Sequence, residues 1–206
     1  MFIKVCGLRR AEDVECAVTH GATAVGFIFW PRSPRYVDPD RAAALVRLVP
    51  PGVETVGVFV NEDPAAVREI AARTGVSIVQ LHGDEGPEVA AQLDRPVMKA
   101  MGVEAVRTTA WPLETTVLLD VTDRERRGGT GQQVDWARAA EVARAQRVVL
   151  AGGLMPDNVG AAIATVHPFG VDVSSGVEDE PGVKNALLVR SFLEHARAAF
   201  EREQRR

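Results

Sequence analysis

Two residues that can transfer protons, Cys6 and Asp120, each end a short run of β-branched and aliphatic residues. In parallel α/β proteins the carboxyl ends of the strands carry the catalytic groups. A cysteine in that position is a candidate base or nucleophile, and an aspartate is a candidate acid or base. Each residue also has a purely structural interpretation, because free cysteines are usually small buried hydrophobes and an aspartate can cap a helix.

Two glycine-bearing loops could bind a phosphate group. Gly152 and Gly153 follow the seventh predicted strand, and Ser174, Ser175 and Gly176 end or follow the eighth. Glycine lets backbone N–H groups approach an anion, and a helix N-terminus adds a favourable dipole. Loops seven and eight are the usual phosphate site of a (β/α)8 barrel, whereas a glycine pair alone could simply make a tight turn.

Three other loops carry candidate binding or gating groups. Arg32 and Arg35 lie in a loop made rigid by two prolines, where an arginine could bind a carboxylate bidentately or remain solvated. His82 follows the fourth strand and either lines the site or forms a hydrogen bond at its rim. The charged loop at 121–131 is interpreted as a mobile lid or a disordered insertion, and its glycines favour the lid.

The elements that must position these groups alternate regularly along the chain. The predicted strands are Phe2–Cys6, Ala24–Phe29, Thr55–Val60, Ser77–Leu81, Val97–Met101, Thr116–Asp120, Arg147–Ala151 and Gly170–Ser174. The predicted helices are Ala11–His20, Pro39–Val49, Pro64–Thr74, Pro87–Leu93, Asp135–Arg144, Asp157–Val166 and Gly182–Phe200. The fifth crossover, Val103–Pro112, is short and weakly helical, so a degenerate fifth helix is expected.

This alternation predicts a single-domain (β/α)8 barrel over residues 1–206, near the lower size limit of the architecture. A doubly wound open sheet is the alternative. It usually needs fewer strands and a Gly-x-Gly-x-x-Gly motif after the first strand, which this sequence lacks. No Pro/Gly/Ser-rich linker divides the chain.

Side-chain alternation predicts which strand residues face the barrel interior. The predicted inward-facing polar and sulfur-containing residues are Lys4, Cys6, Gln80, His82, Lys99, Met101, Asp120, Asp172 and Ser174. Strands one and eight adjoin in a closed barrel, so Lys4 and Asp172 should lie side by side. We expect an interior ion pair between them, because an unpaired buried charge costs several kcal/mol.

Composition narrows the class of protein. Of the 206 residues, 46% are hydrophobic and 25% are charged, and 24 basic against 28 acidic residues give a net charge of −4. No basic block interleaved with aromatics indicates nucleic-acid binding. No apolar run approaches the ~20 residues of a membrane helix, and no export leader is recognisable, so we expect no membrane partner and a cytoplasmic location.

The cysteines and histidines do not form a metal or disulfide pattern. Cys6 and Cys16 are not a Cys-x-x-Cys pair, so no disulfide is expected and a reducing compartment fits. The four histidines are dispersed and lack the spacing of zinc ligands. The sequence therefore predicts no metal site.

Ten short segments occur in a fixed order along the whole chain. They are Lys4-Val5-Cys6-Gly7-Leu8, Gly26-Phe27-Ile28-Phe29, Ser33-Pro34-Arg35, Gly57-Val58-Phe59-Val60-Asn61, Gln80-Leu81-His82-Gly83, Leu118-Leu119-Asp120, Gly128-Gly129-Thr130-Gly131, Asp135-Trp136, Ala151-Gly152-Gly153-Leu154 and Asp172-Val173-Ser174-Ser175-Gly176-Val177-Glu178. Each alone is a weak signal, but their joint order is specific. In this order they closely resemble the phosphoribosylanthranilate isomerase family of tryptophan biosynthesis.

The resemblance implies an Amadori rearrangement of N-(5′-phosphoribosyl)anthranilate, with Asp120 as the acid and Cys6 as the base. It implies that Arg35 holds the anthranilate carboxylate and that backbone groups of loops seven and eight hold the phosphate. The implied substrate-binding residues are Arg35, His82, Gly152, Gly153, Asp172, Ser174, Ser175 and Gly176. No metal or cofactor is implied, because the iminium nitrogen of the substrate is itself the electron sink. The implied partner is a small phosphoribosyl substrate, and the protein is expected to be a monomer or homodimer.

These roles place opposite demands on the two titratable groups. A thiol with an unperturbed pKa of about 8.5 is mostly protonated at neutral pH. Cys6 therefore needs a lowered pKa, or its thiolate must form when substrate binds. Asp120 must hold a proton part of the time, which requires desolvation or a nearby negative charge.

The sequence differs from the family pattern at two positions, and two other functions are alternatives to the one that the resemblance implies. Gln132-Gln133-Val134 stands where an aromatic residue usually precedes Asp135-Trp136, and Asn185 stands where an aspartate is expected; both positions concern loop packing. A histidine-pathway isomerase with the same chemistry would end strand one with an aspartate, where this chain has Cys6. A phosphosugar-binding barrel without catalysis would not need an acid and a base.

Overall fold

Eight parallel strands pair in chain order and close into a barrel, because β1 pairs with both β2 and β8. The computed structural model describes residues 1–106, 108–121 and 134–205. The strands are β1 Phe2–Cys6, β2 Ala24–Ile28, β3 Glu54–Phe59, β4 Ile78–Leu81, β5 Val97–Met101, β6 Thr116–Leu119, β7 Val148–Leu150 and β8 Gly170–Val173. The predicted (β/α)8 barrel is confirmed, and the open sheet is not formed.

Helices follow the strands around the outside of the barrel. They are α1 Ala11–Thr19, α2 Pro39–Val46, α3 Pro64–Thr74, α4 Pro87–Ala90, α5 Val103–Val106, α6 Trp136–Ala143, α7 Val159–Val166 and α8 Ala186–Gln204. The expectation of a degenerate fifth helix is confirmed, since α5 is a single turn. Helices α2 and α4 end about one turn earlier than predicted.

The prediction that the last helix begins at Gly182 is wrong. After β8 the chain forms a 3-10 turn, Ser175–Val177, and then a two-stranded hairpin of β9 Glu178–Glu180 and β10 Val183–Lys184. Gly182 has a φ of +86°, which makes the hairpin turn and is incompatible with a helix. Helix α8 begins only after Asn185, whose side chain accepts hydrogen bonds from the next turn.

The apolar residues form two layers separated by the strands. A small inner cluster fills the barrel; its buried members are Phe2, Ala24, Val56, Met98, Ala100, Leu118, Val149 and Ala151. A larger outer cluster packs the opposite strand faces against the helices. Among the described residues, no helix is long and apolar enough to span a bilayer.

The prediction that Lys99 and Met101 face the barrel interior is wrong. In the strand register Gln80 lies beside Met98, and Met98 and Ala100 belong to the inner cluster. Because side chains alternate along a strand, Lys99 and Met101 therefore face the helices, and Met101 packs against the outer cluster. Residues 122–131 of the predicted lid lie outside the described residues. That residues 1–206 form one domain stays a prediction.

Candidate active site

An ion pair crosses the seam at which the barrel closes. The Lys4 ammonium lies 3.0 Å from Asp172 Oδ1, as predicted from the strand order, and Lys4 is fully buried. Burial acts to lower the pKa of Lys4, but the charge of Asp172 and the Cys6 side chain outweigh it, so that the pKa is raised. Lys4 is therefore a permanent cation inside the barrel.

Cys6 ends β1 on the same face as Lys4, and only 5% of its surface is exposed. Burial raises the pKa of the Cys6 thiol; the charge of Lys4 opposes this, and Asp172 adds to it. The protein by itself thus does not lower the thiol pKa, which was one of the two expected routes to a base. Formation of the thiolate with substrate bound is the route that remains.

Asp120 follows β6 directly and lies in a largely desolvated position, with its side chain 12% exposed. Burial raises the pKa of Asp120 to about 6; the Val121 N–H and Lys4 act to lower it, and Asp172 acts to raise it. The Val121 N–H donates to Oδ1 at 2.7 Å, while Oδ2 lies 3.6 Å from His82 Nε2. A carboxyl group with this pKa carries a proton for part of the time near neutral pH, as a general acid must.

The two predicted phosphate loops lie against each other and against Asp120. Gly152, Gly153, Ser175 and Gly176 line one recess together with Asp120. A side chain at Gly176 would collide with the carbonyl oxygen of Leu154, which only glycine avoids. Asp172 and Ser174, also predicted site residues, line the same recess.

Arg35 is buried and makes a bidentate ion pair that was not predicted from the sequence. Its Nε and Nη2 groups donate to the carboxylate of Glu178, with Nη2 2.7 Å from Oε2. Lys184 donates to the same carboxylate at 2.7 Å and to the carbonyl oxygen of Ser174 at 2.9 Å. Burial acts to raise the pKa of Glu178, but Arg35 and Lys184 outweigh it and hold the pKa low.

Arg35, Glu178 and Lys184 form one cluster of charged side chains, and part of it could be predicted from the sequence. Glu178 ends one of the ten segments that carry the family resemblance, and Lys184 lies where the last helix was expected to start. Without the hairpin, nothing in the sequence brings Lys184 back to the end of β8. The cluster connects the Arg35 loop to phosphate loop eight through hydrogen bonds.

A larger cavity of about 330 Å³ opens beside Asp120 and His82. Its wall includes Trp111, and Lys99 lies 5.9 Å from the Trp111 ring centre. Lys99 pairs with the buried Glu85 at 2.8 Å. The volume lies in the range of small-molecule sites. His82 lines this cavity, and which of its two interpretations holds stays a prediction. Within the described residues, no cluster of three or more acidic, histidine or cysteine side chains could hold a metal ion.

Comparisons with known proteins agree on one family. The model of the family described as N-(5′-phosphoribosyl)anthranilate (PRA) isomerase matches residues 3–195. A curated relative of that name from Pelobacter propionicus is 45% identical over 199 residues, which cover 95% of each chain.

Solved structures lead to the same family. Monomers generated from the dimeric phosphoribosylanthranilate isomerase of Thermotoga maritima superpose with a TM-score of 0.85 at 36% identity, covering 96% of this chain and 99% of the other. A phosphoribosylanthranilate isomerase in complex with reduced 1-(o-carboxyphenylamino)-1-deoxyribulose 5-phosphate gives a TM-score of 0.85 at 37% identity with the same coverage.

Proposed function

The chain belongs to the phosphoribosylanthranilate isomerase family, and we propose that Cys6 and Asp120 are the base and the acid of its reaction. That reaction is the Amadori rearrangement of N-(5′-phosphoribosyl)anthranilate to 1-(2-carboxyphenylamino)-1-deoxyribulose 5-phosphate in tryptophan biosynthesis. One observation carries the assignment of roles: a buried carboxyl group with a pKa of about 6 and a buried thiol lie around the same Lys4–Asp172 pair.

The first step opens the ribose ring. Asp120 gives its proton to the ring oxygen, the bond between that oxygen and C1′ breaks, and the electron pair goes to the oxygen. The nitrogen of the anthranilate group then forms an iminium with C1′. The raised pKa of Asp120 supports this step, because the group must hold a proton before it can donate one.

The second step removes the proton from C2′. Cys6 takes this proton, and the electrons of the C–H bond move to the iminium nitrogen, which gives an enolamine. Ketonisation then adds a proton at C1′ and removes one from the 2′-hydroxyl, so the conversion is an isomerisation without net proton uptake. The Lys4 ammonium next to Cys6 would stabilise the thiolate as it forms.

Two loops and one arginine account for substrate binding in this proposal. Backbone N–H groups of Gly152, Gly153, Ser175 and Gly176 bind the phosphate, whose charge next to Asp120 would raise the pKa of that acid further. Arg35 donates to the anthranilate carboxylate through its Nη1 group, because Nε and Nη2 already donate to the carboxylate of Glu178. The roles of His82, Asp172 and Ser174 as substrate contacts stay predictions.

The decisive experiment follows the fluorescent substrate, made in the assay from anthranilate and phosphoribosyl pyrophosphate by the preceding transferase. The protein should consume it, and Cys6→Ser and Asp120→Asn should abolish most of the turnover. Turnover that survives both substitutions would overturn the assignment of the residues. No turnover by the unmodified protein would overturn the function itself.

We further propose that the protein works in the cytoplasm and that it is a monomer or a homodimer. A thiol that acts as a base must stay reduced, and both cysteines are free in the structure. Light scattering of the purified protein would decide between the two oligomeric states.

A further inference from the structure

A row of side chains leads from the ion pair to the acid Asp120. The Lys4 ammonium donates to Gln80 Oε1 at 3.0 Å. Gln80 Nε2 lies 2.8 Å from His82 Nδ1, and His82 Nε2 lies 3.6 Å from Asp120 Oδ2. Lys4 is fully buried and Gln80 is 1% exposed, so water does not compete at this end of the row.

The donors and acceptors in this row can be assigned one after another. An ammonium group only donates, so the Gln80 atom facing Lys4 must be the carbonyl oxygen. The amide nitrogen of Gln80 then faces His82, and because an amide nitrogen only donates, His82 Nδ1 must be an acceptor. A neutral imidazole that accepts at Nδ1 carries its proton on Nε2, the atom that faces Asp120.

The same assignment disfavours the charged form of His82. In an imidazolium both ring nitrogens are donors, so Nδ1–H would oppose the amide N–H of Gln80. A cation beside Asp120 would also favour its carboxylate form and work against the raised pKa that a general acid needs. A neutral Nε2–H dipole favours the carboxylate form of Asp120 less than an imidazolium would, and it can donate to the carboxylate after proton transfer.

We propose that Lys4 and Gln80 fix His82 as the neutral, Nε2-protonated tautomer, which makes Gln80 and His82 positioning residues for the acid Asp120. The kinetic part of this proposal rests on the proposed function, whereas the tautomer itself does not. The 3.6 Å separation between His82 and Asp120 exceeds a hydrogen bond. Catalytic hydrogen bonds of this kind commonly shorten when substrate binds.

The test is nitrogen NMR of the four histidines in the whole protein labelled with ¹⁵N-histidine. The signals of His82 are identified by their loss in His82→Asn. At neutral pH, His82 should show one pyridine-like nitrogen and one pyrrole-like nitrogen, with the coupling pattern of the Nε2–H tautomer. An Nδ1–H tautomer or an imidazolium of His82 in the unmodified protein would overturn the proposal.

Gln80→Glu sharpens the test, because it replaces the amide donor with a carboxylate that accepts from Nδ1–H. It should convert His82 to the imidazolium or to the Nδ1–H tautomer, and kcat should fall ~10-fold or more with KM little changed. Gln80→Met removes the amide without adding charge, and it should leave a mixture of both tautomers. Gln92→Glu, an exposed change of the same kind, should alter neither the spectrum nor kcat.

The two proposals fail in different ways. If Gln80→Glu leaves the His82 spectrum and kcat unchanged, the positioning role is wrong although Cys6 and Asp120 can still be the base and the acid. If the protein does not turn over the anthranilate substrate, the spectrum still reports the tautomer, and only the kinetic role of His82 falls with the function.

Discussion

Two of the three buried lysines, Lys4 and Lys184, have surroundings that differ in charge. Lys4 lies with one carboxylate, Asp172, and with the Cys6 thiol, and its pKa is raised in spite of burial. Lys184 is also buried, but it shares the carboxylate of Glu178 with Arg35. Burial and the charge of Arg35 lower the pKa of Lys184, and Glu178 only partly opposes them.

The difference determines which further charge each cluster can stabilise. The Lys4 cluster consists of Lys4, Asp172 and Cys6, and the Glu178 cluster consists of Glu178, Arg35 and Lys184. The Lys4 cluster is neutral while Cys6 is a thiol, and it gains an anion when Cys6 loses its proton. The Glu178 cluster carries two cations and one anion, so it has an excess positive charge before any ligand arrives. The first cluster is suited to stabilise a charge that forms during the reaction, and the second to bind an anion that the substrate brings.

The strongest way to break this comparison is to remove the two groups that react in and beside the first cluster, Cys6 and Asp120. Cys6→Ser and Asp120→Asn should each lower kcat by ~10²–10⁴-fold with KM little changed, because both residues act on the transition state. Cys16→Ser is the matched control and should keep the activity of the unmodified protein. Near-normal kcat in Cys6→Ser would mean that another group is the base.

Replacing each lysine by methionine compares the clusters directly. Lys4→Met removes the ammonium that pairs with buried Asp172 and should lower the free energy of unfolding by ~3–5 kcal/mol. Lys184→Met should cost less, because Glu178 keeps its bidentate pair with Arg35. Denaturant titrations of both variants measure the difference, and equal losses would contradict the distinction between the clusters.

The pH dependence of kcat/KM tests whether the reaction needs both the Cys6 thiolate and a protonated Asp120. The active form needs the Cys6 thiolate and protonated Asp120. Below a pH of about 6, where Asp120 is protonated, each unit of pH should raise kcat/KM ~10-fold through the thiolate fraction. Above that pH the loss of the Asp120 proton offsets the gain in thiolate, so the profile should become level until Cys6 itself titrates.

The control for this profile is the residual activity of Asp120→Asn. Without a titrating acid, kcat/KM should keep rising with pH beyond the value at which the unmodified protein levels off. A profile of the unmodified protein that falls immediately above pH 6 would show that Cys6 is already ionised in the free protein, against its raised pKa.

The smallest expected effect concerns the second cluster. Arg35→Lys should raise KM about tenfold and leave kcat nearly unchanged, because a lysine cannot bind Glu178 and a substrate carboxylate at once with fixed geometry. Arg32→Lys changes an exposed arginine of the same loop and serves as the control. An unchanged KM in Arg35→Lys would show that the substrate carboxylate is bound elsewhere.

The sequence predicted the parts of this site that depend on strand order and alternation. Closure of an eight-strand barrel places Lys4 beside Asp172, and period-two alternation places Cys6 on the same face as Lys4. The first placement follows from the number and order of the strands and the second from alternation within one strand, so the residue types and their spacing are enough to predict both.

The parts that failed depend on register and on distant contacts. Lys99 was assigned to the wrong face because the alternation within β5 does not reveal its register against β4. The Glu178 cluster was missed because a hairpin turn at Gly182 returns Lys184 to the end of β8. The assignment of the His82 tautomer depends on three distances, from Lys4 to Gln80, from Gln80 to His82 and from His82 to Asp120. A residue pattern does not predict these distances.

The seam between β1 and β8 also has a consequence for the order in which the protein becomes active. Lys4 and Asp172 are 168 positions apart, so a ribosome adding about 5–20 residues per second makes Lys4 roughly 10–30 s before its partner. A nascent chain that lacks β8 therefore has no counterion for Lys4 and no eighth phosphate loop. Catalytic activity of this chain therefore requires that β1 and β8 have paired. The time at which activity appears during synthesis consequently measures when the barrel closes.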